Sequence, residues 1–106
     1  MFKAMILLKR SEDSSFDEFK TWWLQDHAPL ARQLPKLRRA VFNLVDGEGA
    51  AEVDGISELW FDSRDDFDAA YQSETGKAVA ADSMAHVSRR ERLLISEHLV
   101  KSEPSD

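Results

Sequence analysis

The chain contains no cysteine. Disulfides, thiolate metal sites and cysteine nucleophiles are therefore excluded. Positive charge is in deficit: 14 Lys and Arg stand against 20 Asp and Glu, a net charge of −6. Nucleic-acid binding needs a basic footprint to displace counterions from phosphates, so a nucleic-acid partner is not expected. No block of Lys or Arg would seek an anionic membrane either. Long apolar runs are missing. The opening MFKAMILLKR is too short to cross a bilayer and carries no cleavage site, so it reads as a strand. No Gly-rich phosphate loop, nucleophile elbow or HExxH pattern occurs, and His27, His86 and His98 have no metal-ligand spacing. The expectation is a soluble cytoplasmic protein with no nucleic-acid, membrane, metal or cofactor partner.

What is present fits one small domain. A chain of 106 residues with 42% hydrophobic content buries a core of modest size, for which oligomerisation is a common supplement. Phe2 to Lys9 alternates as a first strand. Ser15, with Glu18 three residues on, forms a capping-box signature. The helix it opens places Phe16, Phe19, Trp23, His27, Leu30 and Leu34 on one face. Pro29 lacks an N–H and its ring crowds the preceding turn, so a break is expected near His27 and Ala28. Leu37 to Asp46 and Gly55 to Asp62 read as strands around a loop, GEGAAEVDG, whose composition predicts mobility. Helices are predicted over Arg64 to Gln72 and Glu74 to Ser88, and a last strand over Arg90 to Val100. Residues 101–106 read as a disordered tail behind a single domain spanning 1–100.

The order β-α-β-β-α-β predicts an α+β, ferredoxin-like fold with an antiparallel sheet. Leu59, Phe61, Phe42 and Leu44 suit the face under the helices. The opposite phase carries Glu58, Trp60, Val41 and Asn43, too apolar to leave in water. A second copy laid sheet to sheet would cover it, so a homodimer is expected.

Several residues stand out chemically. His27 interrupts an apolar helical face beside a proline. It reads either as a general base in a pocket or as a helix-end histidine donating to a backbone carbonyl. Asp26 beside it faces elsewhere in a regular helix. Glu58 lies mid-strand between bulky apolar neighbours, either as a site carboxylate or paired with Arg38 or Arg39 across the strands. Asn43 and Trp60 share its phase, as pocket lining or as dimer packing. Trp23 fits the core face, whereas Trp22 falls off it and suits a cleft or a subunit contact. The reading that joins them is a largely apolar pocket between the sheet and the first helix. His27 and Glu58 would act there, with Asn43, Trp60, Trp22 and Trp23 contacting a small apolar organic ligand.

The segments WWLQDHAPLARQLPKLRRAVFN and DGISELWFDS resemble the EthD family, small proteins named for ethyl tert-butyl ether degradation. The resemblance runs from MFKAMILLKR through the W-x(3)-H-A-P-L segment to the closing SEH. It implies a dimeric α/β barrel, with the family histidine at His27 and the strand glutamate at Glu58. It also implies cofactor-independent work on a small metabolite in ether, aromatic or lactone catabolism, as an oxidoreductase, isomerase or cyclase. A binding protein serving an oxygenase system is the alternative. A second alternative is a haem-binding or monooxygenase-type barrel with His27 or His86 as axial ligand. Two departures stand out. The cysteine of isomerase-type relatives has no counterpart, and Ala40 occupies the strand-two position where many relatives carry tyrosine.

Overall fold

The computed structural model describes residues 1–46 and 51–103. Part of the expected 47–55 loop and the end of the expected tail lie outside these residues. The strands are β1 (Phe2–Arg10), β2 (Arg39–Leu44), β3 (Gly55–Phe61) and β4 (Val87–Ile95). They form one antiparallel sheet in the order β2-β3-β1-β4. The helical segments are α1 (Phe16–Thr21), a π-helix (Trp22–His27), α2 (Ala28–Ala31), α3 (Arg64–Gln72) and α4 (Glu74–His86). The fold is the ferredoxin-like α+β arrangement that the element order predicts.

Strand lengths follow from their partners. β4 begins three residues earlier than the sequence indicates and stops at Ile95, opposite Lys3 near the start of β1. Beyond that point β1 supplies no backbone to pair with. β2 is likewise confined to the stretch matched by β3.

The capping box at Ser15 is complete: Glu18 N–H donates to Ser15 Oγ at 3.0 Å, and Ser15 N–H donates to Glu18 Oε1 at 2.9 Å. Downstream, the expected break does not occur. The helix widens instead, and Ala28 N–H donates to the carbonyl of Trp23 in the π pattern. Pro29 then falls in the first turn of α2, where its missing N–H matters least. One extra residue in the turn thus absorbs the proline without ending the helix, as π-bulges do.

Trp23 is fully buried and stacks on Phe42 with ring centroids 4.5 Å apart. It lies flush on β3 because Gly55 has no side chain; a Cβ there would come within 2.7 Å of the indole. A second close approach occurs where α4 starts. A Cβ on Gly76 would overlap the backbone of Ala70 and Tyr71 at the end of α3. Neither backbone can yield as a flexible side chain would. Gly76→Ala is therefore expected to cost about 3 kcal/mol, the upper part of the overpacking range. A urea titration showing an unchanged midpoint would contradict this.

Alternation sorts the sheet into two faces. Ala4, Ile6, Leu8, Leu59 and Phe61 are buried beneath the helices. Met5, Leu7, Val41, Ile56 and Trp60 lie in the opposite phase, on a face that no helix of this chain covers.

Candidate functional site

His27 closes the π turn and is 4% exposed. The widened turn and the stripe of α1 point it at α4. There Asp82 Oδ2 stands 2.8 Å from His27 Nδ1. A carboxylate only accepts, so Nδ1 carries the proton and Nε2 is left as the basic nitrogen of a neutral ring. Nε2 accepts from Ser83 Oγ at 3.3 Å. Asp82 is itself held in place: Trp22 Nε1 donates to the same Oδ2 at 3.2 Å. His86 stacks on the Trp22 indole, 4.5 Å away and 16° from parallel, with its Nδ1 donating to the Asp82 carbonyl at 2.8 Å. The result is a carboxylate–imidazole pair with a fixed tautomer, the arrangement that orients a general base.

His27 lines a small cavity of about 10 Å³ between the sheet and the helices, room for about one water. Its polar lining consists of His27, Ser57, Tyr71, Ser83 and Arg90. On the far side of Ala31 and Phe42 lies an open cleft of about 560 Å³, between α2 and the edge strand β2. Ala40 lines this cleft. Its methyl group leaves space that a tyrosine at the same position would fill. Ala31 and Phe42 belong to both spaces, so the Phe42 ring divides the outer cleft from the buried base.

Burial pushes the His27 pKa below its ordinary value; Asp82 pulls it up, while Arg90 and His86 push it further down. His27 therefore binds its proton less readily in the folded chain than in the unfolded one. Stability is full above the unfolded value of about 6.5 and falls as pH drops below it, because the unfolded state then takes up more protons. Urea unfolding at pH 7.5 and 5.5 checks this against His27→Gln, which cannot titrate. The parent is expected to lose more stability between the two pH values than the variant. Equal losses would remove the linkage from His27.

The six candidate residues from the sequence do not converge. Trp22, Trp23 and His27 lie on the helix side of the sheet, Trp22 on α4 and Trp23 against Phe42. Glu58, Trp60 and Asn43 lie on the other face, so one pocket between sheet and helix cannot hold both groups. Glu58 pairs with Lys3 at 3.3 Å, not with Arg38 or Arg39. Register explains the difference. Arg39 stands opposite Trp60 and lies over its ring at 4.7 Å, and Arg38 turns to Asp62. Lys3 also meets Glu97 at 3.0 Å, and Trp60 Nε1 donates to Glu97 at 3.1 Å. Burial works against the Lys3 ammonium, but Glu97 and Glu58 outweigh it and hold its pKa above the ordinary value. Asn43 is exposed and donates to the carbonyl of Ile56 at 2.9 Å.

Sequence reasoning missed Asp82, Ser83, Tyr71 and Arg90. A signal existed for the first two: a polar pair three and four residues after Val79, on the buried side of α4. In this structure both His27 ring nitrogens are engaged, Nδ1 by Asp82 and Nε2 by Ser83. Among the described residues no cluster of His, Asp or Glu has the form of a metal site, and no helix is long and apolar enough to cross a membrane.

The model of the EthD domain matches residues 11–89. No curated protein matches the chain. Among solved structures, an ethyl tert-butyl ether degradation family protein from Bacillus halodurans C-125 superposes with a TM-score of 0.80 at 23% identity. That match covers 92% of this chain and 100% of the other. A dimeric ferredoxin-like protein of unknown function from Thermobifida fusca YX gives 0.73 at 17% identity, covering 91% and 90%. An antibiotic biosynthesis monooxygenase gives 0.69 at 12% identity, covering 93% and 100%. At these identities the superpositions speak to fold.

Proposed function

The chain belongs to the EthD family, and on that premise we propose that it is a homodimeric catalyst of proton transfer on a small organic metabolite. His27 is the base, and the step belongs to the catabolism of ethers, aromatics or lactones. The observation that carries the reading is the Asp82–His27 pair, on a buried ring that lines a cavity between the sheet and the helices. The carboxylate that orients the ring is itself held by the Trp22 indole N–H. The base removes a proton from carbon next to a carbonyl. The C–H pair moves into an enolate, and the proton returns from Nε2 to another carbon or to oxygen. No co-reactant is consumed. Phe42 must swing aside for substrate to pass from the outer cleft to Nε2. The dimer rests on the uncovered sheet face with Met5, Leu7, Val41 and Ile56, and on the dimeric description of the Thermobifida neighbour.

The test is solvent exchange. Small ketones and lactones are incubated in D2O, and loss of the α-proton signal is followed by NMR. The parent is expected to exchange at least one of them above the buffer rate. His27→Ala is expected to abolish the effect while costing stability only about 1–2 kcal/mol, the scale of one lost hydrogen bond. Exchange by His27→Ala at the parent rate would return His27 to a structural role. A binding protein for an oxygenase system is the second reading, favoured by the small volume of the inner cavity. It predicts ligand binding without any exchange.

A further inference from the structure

Two polar groups on the inner cavity have no part in orienting His27. Arg90 enters from β4 in the phase that faces the helices, and its Nε is buried with no hydrogen-bond partner among the described residues. Tyr71, at the end of α3, lines the same space. Burial pushes the Tyr71 hydroxyl above its ordinary pKa, against the pull of Arg90 and Arg92, so it remains a protonated donor. A buried donor left unpaired is costly, and such groups in native proteins call for a specific explanation. Arg90 also hydrogen-bonds the Tyr71 oxygen, which leaves the Arg90 Nε–H and the Tyr71 hydroxyl proton as the donors on the cavity, one of them on a cation, beside the His27 ring. The missing partner is an acceptor, and the positive guanidinium selects a negative one.

We propose that Arg90 and Tyr71 form an oxyanion clamp opposite His27, so that the site takes small organic acids and enolisable carbonyl compounds, held by a carboxylate or enolate oxygen. This rests on the reading of His27 as the base. In that reaction the electron pair released from the C–H bond ends as charge on the carbonyl oxygen. A donor pair waiting in a water-poor cavity stabilises that charge more than water would. The approach fits as well. Arg32 and Arg39 line the outer cleft beside Arg38, which is paired with Asp62, a local positive rim on a chain whose net charge is −6. Such a rim concentrates anions at an entrance. Phe42 then admits the acid to Arg90.

The proposal is tested with benzoate and benzamide, which have nearly the same shape and differ in charge. Each is titrated into the full chain while the ring proton signals of His27 are followed by NMR. Benzoate is expected to shift those signals and to bind at least tenfold more tightly than benzamide. Arg90→Gln is expected to erase that preference, and Arg64→Gln, a surface arginine paired with Asp68, to keep it. Should Arg90→Gln not fold, Arg90→Lys and Tyr71→Phe carry the test. The first is expected to retain most of the preference, and the second to weaken benzoate about threefold without affecting benzamide. Equal binding of acid and amide, both shifting His27, overturns the clamp and leaves the base reading standing. A preference that survives Arg90→Gln, or that is unchanged in Tyr71→Phe and lost in Arg90→Lys, overturns the clamp. If neither compound moves the His27 signals, the clamp and the pocket reading fall together.

Discussion

Leu7→Asp should convert the proposed dimer to a monomer without unfolding it. Leu7 stands near the middle of the uncovered sheet face, opposite Ile56 on β3 and Glu91 on β4. It points away from the helices, so the core beneath Ile6 and Leu8 keeps its packing. In a two-fold assembly each substitution enters the interface twice. Two carboxylates would then be buried where the nearby cations are already engaged, Lys3 by Glu58 and Arg89 by Glu91. An unpaired charge in a buried setting typically costs about 3–5 kcal/mol, so two shift the dimer constant by at least about ten-thousandfold. Sedimentation equilibrium is expected to give a dimer for the parent and a species of about 12 kDa for the variant, with the same far-ultraviolet circular dichroism. A parent that is already monomeric at micromolar concentration would remove the dimer.

The fold was legible because it rests on local signals. Ser15 with Glu18 marks a helix start in four residues, and the bonds form as the pattern requires. Alternation alone separates Leu59 and Phe61 from Glu58 and Trp60, and the register confirms that separation. The site was less legible, for two reasons. Glu58, Asn43 and Trp60 share a strand phase with one another but not with His27. Grouping all four in one pocket disregards the sheet between them. The partner that fixes His27 lies 55 residues away, and no local pattern joins positions that only tertiary packing brings together. Asp26, next in sequence, is exposed. Pro29 shows a third limit. Its chemistry predicts that a regular helix cannot pass through it, and that is so. Whether the chain breaks or widens depends on what the widened turn gains, here the burial of both Trp22 and Trp23.

Trp23→Ala should be the most destabilising single change in the helix, and its neighbour shows why position outranks residue type. Trp23 has no exposed surface, stacks on Phe42, meets Phe19 at a tilt, and fills the space that Gly55 leaves on β3. Removing a buried indole costs about 3–5 kcal/mol, because the lost contacts are joined by a cavity that the sheet cannot close. In a domain of this size each kcal/mol lowers the melting temperature by about 4–8 °C, so a fall of at least about 12 °C is expected in a thermal scan. Trp22 behaves differently. Its ring lies on His86, and its Nε1 donates to Asp82. Trp22→Phe keeps an aromatic face for His86 and removes that donor. The Asp82 carboxylate, now less compensated, should favour a protonated His27, so the His27 pKa is expected to rise while the melting temperature moves by only a few degrees. NMR titration of the His27 ring together with thermal unfolding separates the two residues. A Trp23→Ala protein as stable as the parent would place the core elsewhere. A Trp22→Phe protein with an unmoved His27 titration would show that Asp82 does not need the indole.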